Sequence, residues 1–268
     1  MSAATAAVRR AGAPARVPLV LAVLLVLAAI AYPLTDGTAR DAVSWTIVLL
    51  GSGVSVTAAA VAHGARTGAA VLVLVALTSV AFEAVGLATG YPYGPYTYSD
   101  VLGPTLLGVP FLVPLAWLMM AWPSRVLAEL LTRRVRPGRR RAARVAVAAA
   151  VFAGWDVVLD PQLVQAGYWT WAEPTPGLPG IDTVPLTNLG GWLLAGLVLM
   201  AVLELVVART AAPGGARADA APLLVIGWMV AGGALAHALW LDLPGSAAWG
   251  AGLTAVVAAV LAVQARRR

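Results

Sequence analysis

The sequence predicts an all-α polytopic transmembrane helix bundle of about eight spans with both termini cytoplasmic. Three observations predict it. Of 268 residues, 60% are hydrophobic and only 11% charged, about half the charged fraction of a soluble domain. The apolar residues fall into long uncharged runs, which a soluble core does not need. The basic residues sit on alternate sides of those runs.

Taken in order, the runs cover about 17–32, 44–62, 69–90, 103–122, 142–161, 183–207, 220–241 and 244–265. Most reach the roughly 20 residues that cross a 30 Å hydrocarbon layer as helix. The first is short, and its end extends naturally to Pro33. Its basic start also fits a signal peptide, but no small-x-small cleavage site precedes a polar segment, which favours retention as a helix. The last two runs are divided only by Leu241-Asp242-Leu243-Pro244, which suits a tight hairpin. The whole chain, 1–268, therefore reads as one transmembrane domain.

All 18 basic residues are Arg, and the net charge is +6. A basic balance can mark a nucleic-acid binder. Here the Arg residues report topology instead. Arg9, Arg10 and Arg16 precede run one, and Arg66 lies between runs two and three. A cluster from Arg125 to Arg144 lies in or beside an expected Arg-rich loop, 123–141. Arg209 and Arg217 follow run six, and Arg266, Arg267 and Arg268 end the sequence. Only Arg40 falls on the other side. The positive-inside rule then places both ends and the Arg-rich loop in the cytoplasm, and the protein in the plasma (cytoplasmic) membrane. There is no Cys, which excludes disulfides, thiolate nucleophiles and iron–sulfur clusters. With two His and no dinucleotide fingerprint, neither a metal nor a cofactor is expected.

Two outer loops carry unusual residues. The first runs from Gly90 to Asp100 and holds Tyr91, Tyr93, Tyr96 and Tyr98, four of the six Tyr in the chain. The second, from Pro161 to Pro185, holds Trp169 and Trp171. Aromatics at a membrane edge often form only an interfacial belt. That reading leaves unexplained why Tyr, Trp, Asp and Gly gather in just these two loops.

Carboxylates inside the runs cost on the order of 3 kcal/mol each on insertion scales and are functional candidates by default. Glu83, Asp156 and Asp160 fall in the expected outer halves of their helices. Glu204 falls near a cytoplasmic end, where a snorkelling side chain explains it. Asp156 and Asp160 are four apart and so share a helix face, after which Pro161 is expected to break the helix. Asn188, Trp192 and His237 belong to the same outer layer, as does Asp100. Mutual hydrogen bonding that fastens the bundle accounts for any one of these residues; the set together points to a site.

Three blocks then carry a resemblance. Gly90–Pro110 reads GYPYGPYTYSDVLGPTLLGVP, Trp155–Trp171 reads WDVVLDPQLVQAGYWTW, and Val184–Trp192 reads VPLTNLGGW. In this order and spacing, with Glu83, Gly86 and Gly90 leading in, they resemble the motifs of the carotenoid biosynthesis membrane proteins, a family that includes carotenoid hydratases. The match spans roughly 80–195. One departure stands before the third block, where relatives tend to carry an aromatic pair and this chain has Gly180-Ile181-Asp182-Thr183.

The resemblance implies addition of water to the terminal C1–C2 double bond of an acyclic carotenoid end group, giving a tertiary alcohol, without a cofactor. Its implied partners are the carotenoid, the lipid bilayer and other enzymes of the same pathway. Such hydration needs an acid able to protonate an alkene, aromatic faces to stabilise the resulting cation, and a base for the attacking water. The candidate catalytic residues are Asp156, Asp160 and Glu83, with the acid not assigned among them. The candidate substrate-binding residues are Tyr91, Tyr93, Tyr96, Tyr98, Asp100, Trp155, Trp169, Trp171, Asn188, Trp192 and His237. The alternative is a carotenoid-binding or small-solute transport protein without catalysis, since such proteins also bury carboxylates in Pro-broken helices.

Overall fold

A backbone in hydrocarbon must satisfy its own polar groups, and this chain does so with helices. The computed structural model describes residues 16–209 and 219–266. Arg9, Arg10, Arg217, Arg267 and Arg268, used above for topology, lie outside them. Among the described residues there are eight long helices: α1 Val17–Ala31, α2 Gly37–His63, α3 Ala65–Thr89, α4 Leu112–Thr132, α5 Pro137–Gln165, α6 Leu186–Val207, α7 Ala220–Leu239 and α8 Pro244–Arg266. Prolines open α5 and α8, where a missing N–H costs nothing. Gly90 ends α3 in the left-handed conformation, its N–H bonded to the Gly86 carbonyl.

Seven of these helices are long and apolar enough to cross a membrane, so the protein is a polytopic α-helical membrane protein. The exception is α4, which carries Arg125 and Glu129. It is buried along most of its length and packs against α2, α3, α5 and α7. A helix shielded by neighbours does not need the hydropathy of one facing lipid. Connectivity fixes its course. The segments after α3 and α5 pair with each other as strands, so α3 and α5 end on the same side of the bundle. The chain between them must return to the opposite side, and α4 makes that return.

Several expectations need correction. The run read as 103–122 is not helical at its start. Residues 103–111 form a loop with a two-residue hairpin, β2 Thr105–Leu106 against β3 Val109–Pro110. Gly103 and Gly108 have φ of +81°, and Pro104 interrupts the helical pattern. The Arg-rich loop 123–141 is mostly helix, since α4 runs to Thr132 and α5 begins at Pro137. The seventh run is not a uniform α-helix; Trp228–Gly232 forms a π-helical turn within it.

Pro161 does not break α5, which continues to Gln165. A proline removes the N–H that would bond the carbonyl four residues earlier. Here that carbonyl, Val157 O, accepts from the Ser246 hydroxyl on α8 at 3.1 Å. The same device recurs in α4. Pro123 frees Met119 O, which accepts from Ser55 on α2 at 3.1 Å.

Glu204 does not snorkel. It is 2% exposed and lies between Arg125 at 2.9 Å and Arg144 at 2.5 Å. Glu129 joins Arg125 at 3.1 Å. These charges tie α4, α5 and α6 together at one end of the bundle. Arg144 and Asp160 are 16 residues apart on α5, about 24 Å at 1.5 Å per residue. The ion cluster and the acidic pair therefore sit near opposite ends of the bundle.

Candidate active site

The two aromatic loops are one structure. β1 Tyr96–Tyr98 pairs antiparallel with β4 Trp169–Trp171, placing Tyr96 opposite Trp171 and Tyr98 opposite Trp169. Strand residues alternate between faces. Tyr-Thr-Tyr and Trp-Thr-Trp therefore turn all four large rings inward and leave Thr97 and Thr170 exposed. Tyr98 meets Trp169 edge to face at 5.8 Å, and Tyr96 lies 5.9 Å from Trp171. This aromatic cap covers one end of the bundle.

Beneath it is a cavity of about 90 Å³. Glu83 of α3 and Asp160 of α5 both line it, 4% and 2% exposed. Tyr96 and Tyr98 each donate a hydroxyl hydrogen bond to Glu83 Oε2, at 2.5 and 2.8 Å. Burial, and then the nearby Glu83 charge, push the Tyr96 hydroxyl well above the usual phenol range, so it stays a donor. On the other wall, the Asn188 side-chain nitrogen donates to both Asp156 and Asp160, at 2.8 and 2.5 Å. Asn188 stands in the first turn of α6, which makes the most extensive helix contact of α5. One amide thus clamps two carboxylates.

The two aspartates face different spaces. Asp160 lines the cavity beneath the aromatic cap. Asp156 lines a separate void of about 20 Å³ under the 178–189 segment, room for one water. Its Oδ1 is buried without a partner.

Aromatic rings form the remaining walls. Trp192 lies 5.1 Å from Trp117 and stands perpendicular to Trp155 at 6.0 Å. The Tyr93 ring fits between Gly86 of α3 and Gly191 of α6. A Cβ at either glycine would sit within 2.9 Å of it, so both close approaches require glycine. Trp171 donates its indole N–H to the Tyr93 carbonyl at 3.1 Å.

The structure therefore gathers Glu83, Asp160, Tyr93, Tyr96, Tyr98, Trp155, Trp169, Trp171, Asn188 and Trp192 around one cavity, with Asp156 directly behind. It does not bring Tyr91, which is 66% exposed, or Asp100, exposed at the start of a short 3-10 turn. His237 stands one residue back from the cavity. It bonds Ser246 at 2.8 Å and Gln162 at 2.9 Å, and so supports the Pro161 region of α5.

Among the lining residues that escaped the sequence reading are Tyr32, Trp117, Gln162 and Tyr168. Trp117 sits in an apolar run and looks like core. Tyr168 adjoins Trp169 in the second block, a signal that pointed to it, and it donates to Asp41 at 2.6 Å. Among the described residues no three His, Cys, Asp or Glu group together as metal ligands would.

The segment of that departure packs against α8. Gly180 presses its carbonyl against Gly245 at the start of α8, leaving no room for a Cβ there.

Comparison with known proteins places the chain. The family model described as "Carotenoid biosynthesis protein" matches residues 43–262. The bisanhydrobacterioruberin hydratase of Haloarcula japonica is 38% identical over 139 residues, covering 50% of this chain and 44% of that protein. The aligned part thus spans less than half of that relative's length. No solved structure matches.

Proposed function

We propose that this chain, which belongs to the carotenoid biosynthesis protein family, adds water to the terminal C1–C2 double bond of an acyclic carotenoid end group. The observation that carries the reading is the meeting of Glu83 and Asp160 in one aromatic-walled cavity. The likeness to a hydratase over half the chain supports it.

In this reading Asp160 is the acid. Its carboxylic proton goes to C2, the π electrons form the new C–H bond, and C1 becomes a tertiary cation. Trp155, Trp171 and Trp192 present ring faces to that charge, an interaction worth about 2 kcal/mol or more once water is excluded. Glu83 is held as an acceptor by two tyrosine hydroxyls. It orients a water toward C1 and takes the proton released as the C–O bond forms. Transfer of that proton back to Asp160 completes the cycle, and the sum is alkene plus water to tertiary alcohol. Asp156 acts through Asn188 to position Asp160. The Arg distribution supports a cytoplasmic-membrane protein with this cavity toward the outer face.

The test is expression in a host that accumulates an acyclic carotenoid, followed by pigment analysis. A new pigment heavier by one water is expected, and its absence from a host containing folded protein would overturn the reading. An unchanged pigment that co-purifies with the protein would instead mark a binder.

A further inference from the structure

A second cavity, of about 180 Å³, lies between α1, α5 and α7. It shares Tyr32, Ile47, Trp155, Leu159, Gln162 and Met229 with the wall of the catalytic cavity. The two spaces therefore adjoin across these six side chains. Its floor is made narrow-bodied by Ala29, Gly232, Gly233 and Ala236, and its rim is apolar and open. Leu34 is 67% exposed there, Trp240 54% and Leu235 52%.

The α7 helix explains the opening. Its π-helical turn, Trp228–Gly232, widens the helix where it borders this space. Such turns are rare and tend to occur at functional sites. Gly232 lets the Trp228 ring fold back onto its own helix, where a Cβ would come within 2.9 Å of it. Trp228 and Trp240 both line the groove, which therefore follows α7 from its π-helical turn to its C-terminal end. An elongated apolar trough with its rim on the bundle surface suits a chain-like ligand better than a compact solute.

We propose that this groove is the lateral entry and binding site for the polyene body of the carotenoid. The terminal isopropylidene group passes the Tyr32–Gln162–Met229 wall to reach Glu83 and Asp160. The inference rests on the hydration reading and adds to it where the bulk of the substrate lies. A polyene much longer than its end group cannot fit inside a chamber of about 90 Å³; most of it must occupy a space that opens to the bilayer. The wall shared with the catalytic cavity distinguishes this groove from the other lipid-facing surfaces.

The experiment fills the groove. Ala236→Phe and Ala29→Phe place a ring in the trough from two different helices. Val256→Phe adds the same ring to a lipid-facing position of α8, 63% exposed, as control. Each protein is purified in detergent with an acyclic carotenoid and assayed for retained polyene, through its induced circular dichroism, and for alcohol formed. Elution as a single folded species is required of each variant. Loss of retained polyene by tenfold or more in either groove variant, with turnover falling alongside and the control near wild type, is the expected result. Retention and turnover equal to the control in both folded groove variants would overturn the proposal and show that the groove holds only membrane lipid. Should the wild type retain the polyene, lose it in the groove variants and form no alcohol, the groove stands and the hydration reading falls.

Discussion

Asn188 and Asp160 are joined across the α5–α6 contact by a 2.5 Å hydrogen bond from the amide nitrogen to Oδ2. The same nitrogen holds Asp156. Replacing it with Leu would strip two buried carboxylates of their donor, at about 1–3 kcal/mol for each group left unsatisfied. Asn188→Leu should therefore lower thermal stability by several degrees and reduce turnover. Asn188→Gln, which keeps the amide, should recover part of the stability. Equal stability for Leu and Asn at 188 in a thermal scan would refute the clamp.

The two aspartates line different spaces, and the proposed reaction gives them different roles. Asp160→Asn and Glu83→Gln should each cost at least about 100-fold in hydration rate, the usual scale for a general acid or base. Asp156→Asn should cost less, because Asp156 lines the other void. Membrane abundance should stay near normal in all three. Near wild-type turnover in Asp160→Asn would remove the proton donor assigned here.

Ser246 and Pro161 should be thermodynamically coupled through Val157 O. Ser246→Ala alone leaves that carbonyl without a donor and should cost about 1–3 kcal/mol. In a Pro161→Ala background residue 161 regains an N–H for the same carbonyl, so the serine change should cost less, the loss of its bond to His237 remaining in both backgrounds. A double-mutant cycle by chemical denaturation in detergent measures this coupling. Additive effects would show that Ser246 does not serve the proline gap.

Glu204 neutralises Arg125 and Arg144 at the end of the bundle away from the cavity. Glu204→Gln leaves buried Arg125, 4% exposed, short of its main counter-charge, and breaking such a pair costs about 3–5 kcal/mol. Folded protein in the membrane should fall sharply, while turnover per folded molecule holds. A catalytic loss exceeding the loss of folded protein would contradict a purely structural cluster.

The orientation of the bundle is open to a direct measurement. Reporter fusions after Arg139 and after Pro174 should give opposite signals, cytoplasmic for the first and outer for the second. Matching signals would rule out the arrangement.

Much of this protein was legible in its sequence because a bilayer allows few solutions. Long apolar runs must be helices, so the bundle could be read without any tertiary contact. The carboxylates at Glu83, Asp156 and Asp160 stood out because charge in hydrocarbon is costly. Local periodicity could not reveal partners. Pro161 looked like a helix stop until Ser246, 85 residues later in the chain, supplied the missing donor. Glu204 looked like a helix-end residue until Arg125 and Arg144 met it. Trp117 looked like core, and only packing placed it in the cavity wall. The division between Asp156 and Asp160 is likewise tertiary: one helix face carries both, yet neighbouring elements give one the cavity and the other a separate void. The sequence by itself determined which residues could not face lipid. What each of them faces instead was decided by contacts between helices far apart in the chain.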